Sequence, residues 1–179
     1  ISSYASDPPT KLDLPISSGA IKLGGDSQLI TISREAIAPL FGSRSFVLQT
    51  RIRSSGGYKA AGTLFHLHKT LLVSVGGRGN VSVKFNTETA SEVKLSTPPL
   101  KVLANEWVDI SIEYSDAEGL LKLRANGEIV SQGKISGQIR PLEHWGLALG
   151  NAFRPQESFQ GEMAKLVLKV GKDVGSAKN

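Results

Sequence analysis

The sequence contains no cysteine among its 179 residues. Disulfide frameworks, zinc–thiolate sites and thiol catalysis are therefore excluded. No apolar run approaches the ~18 residues that a membrane-spanning helix needs, so membrane insertion is not expected. Aromatic residues are scarce at 6%, whereas nucleic-acid interfaces usually combine dense basic clusters with aromatic stacking partners. We therefore expect no nucleic-acid partner.

Long helices are also missing from the pattern, and short alternating runs take their place. A dozen runs alternate with period two and are separated by turn residues, which is typical of a sandwich or barrel. The runs are 20–23, 29–33, 45–53, 63–68, 71–75, 80–85, 92–95, 107–114, 120–125, 128–132, 144–149 and 163–170. The sequence predicts an all-β, two-sheet antiparallel sandwich with one short helical turn near residues 34–38.

Composition at the two ends differs from that of the middle. Residues 1–18 are rich in Ser, Pro and Asp, and residues 171–179 are small and polar. We predict a linker or lead-in over 1–18, one domain over 19–170 and a flexible tail over 171–179. Because the sequence starts with Ile1 rather than Met, we expect a module of a larger chain.

Alternation also assigns side chains to faces, since residues i and i+2 of a strand share one face. Phe46, Leu48 and Ile52 are predicted to be buried, with Gln49, Arg51 and Arg53 on the opposite face. In 63–68, Phe65 and Leu67 are predicted inside, with His66 and His68 outside. Val81, Val83 and Phe85 are predicted inside, with Lys84 outside. In 107–114, Val108, Ile110, Ile112 and Tyr114 oppose Trp107, Asp109 and Glu113.

Residues 107–133 (WVDISIEYSDAEGLLKLRANGEIVSQG) predict two consecutive hairpins, the second turning at Asn126-Gly127. This stretch resembles the concanavalin A-like lectin/glucanase superfamily, in its laminin-G-like or pentraxin-like branch. Residues 19–33 and 45–53 resemble the opening strands of that family, and 145–170 resembles its closing stretch. The resemblance covers residues 19–170 and implies a jelly-roll fold. Its motifs are structural, so it specifies fold far more than activity.

One position departs from this family. Many bacterial members carry, shortly after a Phe-x-Gly motif, an Asp that helps to hold a structural calcium. Phe159-Gln160-Gly161 matches the motif, but Ala164 stands where that Asp is expected. Calcium prefers several oxygen ligands, including carboxylates. We therefore predict no cofactor and no metal site, and interpret Asp26, Asp116 and Asn151 as turn residues.

The sequence favours a non-catalytic protein over an enzyme. Glycosidases with the resembled fold use paired carboxylates, commonly Glu-x-Asp-x-x-Glu, and this motif is absent. Asp109 and Glu113 would lie about 13 Å apart on a strand, too far for a retaining pair. Gln49, Arg51 and His66 supply part of the set of a jelly-roll polysaccharide lyase. The tyrosine that such lyases carry on their last strand is missing.

The candidate ligand contacts come from the charge distribution. Residues 51–100 hold seven Lys/Arg and two Glu, and so account for the whole formal net charge of +5. If the strands are neighbours, Gln49, Arg51, Arg53 and His66/His68 would form a basic strip. A metal at His66-x-His68 would need a third ligand such as His144. The predicted contacts are Arg51, Arg53, His66, His68 and Lys84, with Tyr58 and Arg78 at the loop rim.

These observations predict a non-catalytic binding module, secreted or at the cell surface, that recognises a glycan. The basic segment favours an anionic polysaccharide or glycoconjugate. Two alternatives stay open: a protein-interaction or adhesion module of a larger secreted protein, and a jelly-roll polysaccharide lyase. Trp107 and Trp145 could stack sugars or pack under loops, and Trp145 shares the predicted strand face of Leu147 and Leu149. Tyr58 is the stronger candidate for an exposed aromatic residue.

Overall fold

The computed structural model describes residues 10–14, 19–24 and 30–171. Sheet A contains β1 (Thr10–Lys11), β2 (Ile21–Leu23), β4 (Ser45–Arg53), β9 (Val108–Ser115), β10 (Leu120–Ala125), β11 (Glu128–Lys134) and β13 (Gly161–Gly171). Sheet B contains β3 (Ile30–Ile32), β5 (Gly62–Leu67), β6 (Leu71–Val75), β7 (Val81–Phe85), β8 (Val93–Ser96) and β12 (Leu147–Leu149). The prediction of an all-β, two-sheet antiparallel sandwich is confirmed.

The strand orders separate elements that follow one another along the chain. Sheet A runs β1-β13-β4-β9-β10-β11, with β2 also paired to β13, and sheet B runs β3-β12-β5-β6-β7-β8. The chain therefore crosses from sheet A to sheet B between β4 and β5, and returns between β8 and β9. This crossover decides which of the predicted ligand residues can meet.

The predicted inward positions form the core between the sheets. Phe46, Leu48 and Ile52 of β4 are buried, as are the predicted inward residues of β5, β7 and β9. Phe85 of sheet B meets two rings of sheet A, with its centroid 5.6 Å from that of Phe46 and 4.8 Å from that of Tyr114. Offset and edge-on ring pairs of this kind stabilise a core beyond their buried area. The face assignments are therefore confirmed.

A partly buried polar network joins this core to the loop that follows β11. The hydroxyl of Tyr114 donates to the carbonyl of Gly137, and the N–H of Gly137 donates to Asp116 Oδ1 at 2.7 Å. Arg44 Nη1 donates to Asp116 Oδ2 at 2.7 Å. Burial would raise the pKa of Asp116, but the Gly137 N–H and the Arg44 guanidinium outweigh it, so this pKa is lowered. Burial, followed by the charge of Asp116, raises the pKa of Tyr114.

The described chain contains more helical turns than the one that was predicted. The expected turn near residues 34–38 is a 3-10 helix at Glu35–Leu40, which includes Pro39. Three further 3-10 helices lie in loops of the described chain, at Gly57–Ala60, Lys101–Ala104 and Pro155–Glu157. Each is a single tight turn at a loop, which period-two reasoning about strands does not detect.

The N-terminal lead-in contributes to the sandwich. Thr10 lies opposite Val170 in the β1–β13 pair. The N–H of Leu12 donates to the carbonyl of Leu168 at 2.8 Å, and the Leu12 side chain is buried. Residues 10–12, which fall inside the predicted lead-in of 1–18, therefore belong to sheet A. Residues 172–179 of the predicted tail lie outside the described chain, and so does Asp26.

Candidate functional site

The outer face of sheet A carries a groove of about 560 Å³, which we call the sheet A groove. It crosses β13, β4, β9 and β10, and the turn between β10 and β11 closes one side. Its lining residues are Gln49, Thr50, Arg51, Asp109, Ile110, Ser111, Glu113, Arg124, Gly127, Lys165 and Val167. The volume falls in the range of small-ligand sites, which is about 300–1,000 Å³.

Ion pairs organise the charged walls of the groove. Arg51 lies opposite Asp109 in the β4–β9 register, with its Nε 2.7 Å from Asp109 Oδ1. Arg124 Nε donates to Glu113 Oε2 at 2.7 Å. Both pairs lie at partly exposed positions, so they fix side-chain positions and contribute only modestly to folding. The groove thus presents guanidinium donors beside carboxylate acceptors in a fixed arrangement.

Neutral polar groups lie between these pairs. The registers place Gln49 of β4 opposite Ser111 of β9, and Ser111 opposite Arg124 of β10. These residues share one face of the sheet because they are direct cross-strand partners. An amide, a hydroxyl and a guanidinium therefore follow one another across the floor of the groove.

The turn at Asn126-Gly127, which the sequence predicted, lies at one side of the groove. Asn126 and Gly127 have φ of 51° and 85°, both in the left-handed region that this tight hairpin turn requires. The side-chain oxygen of Asn126 accepts from the N–H of Asp109 at 3.0 Å. The turn is thereby tied to the start of β9, beside the Arg51–Asp109 pair.

A β-bulge in β13 brings a third cation to the groove. The β13–β4 register shifts between Ala164 and Val167, and Lys165 has φ of 53°. The hydroxyl of Thr50 donates to the carbonyl of Ala164 at 3.0 Å and holds the bulge against β4. Bulges commonly redirect a side chain beside a functional site. Alternation alone did not predict Lys165, because the extra residue breaks the period.

Arg53 lies on the same strand face as Arg51 but outside the groove lining. Its Nε is 3.1 Å from Glu162 Oε1, and its guanidinium carbon lies 4.5 Å from the ring centroid of Trp107. Trp107 is half-buried and carries this cation on its ring. We therefore do not place it among the sugar-stacking surfaces that the sequence left open.

The predicted basic strip does not form. Arg51 and Arg53 lie on β4 of sheet A, whereas His66 lies on β5 of sheet B and His68 follows β5 directly. The two sets face opposite sides of the sandwich. The strip required β4 and β5 to be neighbours, and the crossover between the sheets separates them.

His66 and Lys84 share the outer face of sheet B. His66 lies opposite Ala148 on one side and Leu72 on the other, and Leu72 lies opposite Lys84. The outward strand positions of this sheet are Thr31, Ala148, Thr63, His66, Leu72, Ser74, Ser82, Lys84, Lys94 and Ser96. None of these described positions carries a carboxylate. Of the seven cations of residues 51–100, Lys84 and Lys94 lie on this face, and Lys94 Nζ is 3.6 Å from Glu92 Oε1.

Four rings form a cluster beside this row, which we call the aromatic patch: His66, His68, Trp145 and Phe153. The centroids of His68 and Trp145 are 4.5 Å apart, and Phe153 lies 5.1 Å from His66 and 5.4 Å from Trp145. Trp145 is 37% exposed and Phe153 is 55% exposed. Burial and the neighbouring His68 lower the pKa of His66.

The aromatic patch corrects the sequence interpretation of Trp145. The predicted strand 144–149 spans only Leu147–Leu149, so Trp145 lies before the strand and not on the face of its buried leucines. Its ring rests instead on His68, on the outer surface. Phe153 was not predicted as a site residue. Its ring reaches the patch from the loop that follows β12, and strand alternation does not predict the course of a loop.

Tyr58 and Arg78 lie at the loop end of the sandwich. Tyr58 is 71% exposed, and Gly77, the neighbour of Arg78, lies beside the Cβ of Tyr58. Arg78 is also exposed. The two segments of the predicted loop rim therefore lie side by side.

Ala164 stands where the resembled family carries its calcium-binding Asp. Ala164 offers only its carbonyl, which accepts the hydroxyl of Thr50. Across 10–14, 19–24 and 30–171, no three side chains of His, Cys, Asp or Glu come together as a metal site would require. Asn151 acts as a turn residue, since its side-chain oxygen accepts from the N–H groups of Phe153 and Arg154, both at 3.0 Å.

The partial lyase set is also divided. Gln49 and Arg51 line the sheet A groove, whereas His66 is on the other sheet. Within the described chain, no histidine or tyrosine lines the groove. The two carboxylates there are each paired with an arginine.

No family model and no curated protein matches this sequence. Solved structures match the fold. The binding domain of Paraclostridial Mosquitocidal Protein 1 is similar over 89% of this chain and 43% of that chain, with 16% identity and a TM-score of 0.65. Domains LG4-5 of the mouse laminin alpha1 chain are similar over 88% of this chain and 41% of theirs, with 13% identity and a TM-score of 0.60.

A third similar structure matches at the scale of a single module. The CBM40 of a Ruminococcus gnavus IT-sialidase, bound to alpha2,3 sialyllactose, is similar over 84% of this chain and 88% of that chain. Its identity is 15% and its TM-score 0.59. This chain spans less than half of the first two structures. The protein has a laminin-G-like jelly-roll fold, as the sequence resemblance implied.

No helix within the described residues is both long enough and apolar enough to cross a bilayer.

Proposed function

We propose that the protein is a non-catalytic, extracellular glycan-binding module that holds its ligand in the sheet A groove. The observation that carries this proposal is the groove itself, in which paired donors and acceptors surround about 560 Å³. Sugar hydroxyls both donate and accept hydrogen bonds, so a fixed array of guanidinium, amide, hydroxyl and carboxylate groups suits them. Two of the similar structures are named as the binding domain of a mosquitocidal protein and a CBM40 bound to a sialyllactose. These binding roles support the proposal of a binding module.

The charge arrangement indicates which part of a glycan the groove would contact. The guanidinium groups of Arg51 and Arg124 are each engaged by a carboxylate. Such pairs favour hydroxyl groups over a full negative charge, since an anion would have to compete with Asp109 and Glu113. Lys165 adds one exposed ammonium at the β13 side. We therefore propose that the groove binds mainly through hydroxyl groups of a polysaccharide or glycoconjugate.

Arginine substitution with a control on the same strand tests this proposal. We would first identify a ligand by glycan array, and then measure its dissociation constant for Arg51→Met and Arg53→Met. Arg51 lines the groove and Arg53 does not. Loss of a charged hydrogen bond should weaken binding of Arg51→Met about tenfold, while Arg53→Met binds as the parent does. Equal affinities for all three proteins would contradict a site in the groove.

The loop rim supports a second candidate function, a protein-interaction or adhesion module. Tyr58 projects at 71% exposure beside the Gly77-Arg78 turn, and tyrosine and arginine are enriched at protein interfaces. Capture of one protein partner that Tyr58→Ser abolishes, together with a glycan array that shows no binding, would favour this candidate.

The expected absence of calcium can be tested separately. Because Ala164 replaces the expected Asp, a chelator should leave the melting temperature unchanged. A fall in the melting temperature that added calcium reverses would contradict this expectation.

A further inference from the structure

The aromatic patch is suited to a ligand that the sheet A groove would not hold. We propose that it is a second carbohydrate site, which stacks one sugar ring of an acidic oligosaccharide on Phe153 and Trp145. Lys84 would receive the acidic group. The patch faces the opposite side of the sandwich, so this site is independent of the groove.

The loop that carries Phe153 is fixed before any ligand arrives. The side-chain oxygen of Asn151 accepts from the backbone N–H groups of Phe153 and Arg154. The backbone N–H of Asn151 donates to Ser158 Oγ at 2.9 Å. Phe153 therefore projects from a bonded turn over the outer surface of sheet B. A ring that is already placed loses little conformational entropy when a ligand binds.

The floor of the patch is flat because its residue, Ala148, has a small side chain. Ala148 points outward between the buried Leu147 and Leu149, yet it is only 2% exposed. It lies opposite His66 in the β12–β5 pair, so the rings of the patch cover it. Phe153 and Trp145 thus stand on a flat part of the sheet and remain 55% and 37% exposed.

The exposed ring area distinguishes a sugar from a protein partner. Aromatic side chains present about 150–250 Å² each, so the exposed parts of these two rings amount to roughly 200 Å². A stable protein interface buries about 800 Å² per partner. The patch is therefore too small to hold a second copy of the chain by itself, but it matches one or two sugar rings.

The surrounding polar groups favour an acidic sugar. Lys84 lies two strands from His66 in register, about 10 Å at ordinary strand spacing, and is exposed. Of the outward lysines of sheet B, Lys94 is paired with Glu92 at 3.6 Å, whereas Lys84 forms no ion pair with a described residue. An anion at Lys84 would therefore not have to displace a described carboxylate.

The two tryptophans provide one reporter for each surface in the unmodified protein. The chain has two Trp: Trp107 lies beside the groove, and Trp145 lies in the patch. We would titrate nitrogen-15-labelled protein with an oligomannuronate, and in parallel with a neutral oligoglucan of the same length. The proposal expects the oligomannuronate to shift the indole N–H signal of Trp145 more strongly than the oligoglucan does.

Variants test the assigned roles in the same titration. Phe153→Leu keeps an apolar side chain but removes the ring, and should raise the dissociation constant read at Trp145 about fivefold. Lys84→Gln should raise it about threefold. Lys134→Gln removes the same charge from sheet A and should leave it unchanged. Thermal unfolding of each variant shows whether the fold is retained.

Three other outcomes would overturn the proposed patch site. Shifts confined to Trp107 would place the oligosaccharide in the groove, and no shift at either indole would leave the patch without this ligand. Dependence of the Trp145 signal on protein concentration alone would identify a second copy of the chain as the occupant. Loss of groove binding in Arg51→Met, with an unchanged Trp145 response, would separate the two sites.

Discussion

The two outer faces of the sandwich use polar residues in different ways. On sheet A, Arg51 and Arg124 are each held within 2.7 Å of a carboxylate oxygen. On sheet B, Lys94 is paired with Glu92, but Lys84 has no carboxylate partner among the described residues, and the aromatic rings of the patch lie on the same face. Paired charges suit a ligand that both donates and accepts hydrogen bonds, whereas unopposed charges suit an anion. One basic protein can therefore present two surfaces of different preference.

The largest expected effect tests whether the ion pairs on sheet A stabilise the fold. Replacing Arg51 and Arg124 together by Met leaves Asp109 and Glu113 without their counter-ions. We expect the free energy of unfolding to fall by about 1–2 kcal/mol for both pairs together, measured by urea denaturation. The matched change on sheet B, Lys84→Met, should lower it by less than about 0.5 kcal/mol. Equal losses on the two faces would break the comparison.

A smaller effect concerns two lysines with left-handed backbone. Lys165 in the sheet A bulge has φ of 53°, and Lys69, in the turn between β5 and β6, has φ of 54°. Glycine adopts this conformation without the penalty that a Cβ brings, so Lys165→Gly and Lys69→Gly should each stabilise the fold by about 0.5–1 kcal/mol. Only Lys165→Gly should also weaken binding in the groove. If both glycine variants bind alike, the bulge serves the fold alone.

The smallest expected effect is a pH dependence confined to sheet B. Burial, and then the neighbouring His68, lower the pKa of His66 below its ordinary value of 6.5. The unfolded chain therefore takes up the proton more readily than the folded chain. Stability should be constant above this ordinary value, and should fall as the pH drops through it towards the lowered pKa.

His66→Asn provides the control for this pH dependence. We would compare urea denaturation midpoints at about pH 7.5 and about pH 5.5, where histidine titrates. The parent protein should lose more stability than His66→Asn between these two conditions. If the parent protein loses no more stability than the variant, the surroundings of His66 do not disfavour its protonation.

Strands and faces were predictable because each depends on local alternation. The structure reproduces the predicted bounds Ser45–Arg53, Leu71–Val75 and Leu120–Ala125, and the residues predicted to face inward on β4, β5, β7 and β9 are buried. The turn at Asn126-Gly127 was predictable for a similar reason, since positive φ at both positions requires such residues. In each case a few adjacent residues decide the outcome.

The assembly of the sites was not predictable, because it depends on which strands become neighbours. Alternation shows that Arg51 and His66 both point outward, but not that they belong to different sheets. Phe153 reaches the histidines only because the turn at Asn151 redirects the loop. Lys165 enters the groove through one extra residue in β13, which interrupts the period that sequence reasoning relies on. Each of these residues acquires its role from long-range pairing.

The position of β13 in sheet A has a consequence for the order of folding. This strand, at Gly161–Gly171, lies between β4 on one side and β1 and β2 on the other. Both of its sides thus pair with segments made more than a hundred residues earlier in the chain. Pairing across such sequence separations is slow, because the entropy of closing the loop is lost before the contacts form. During synthesis, one edge of β4 therefore stays unpaired until the last strand of the sheet has been made.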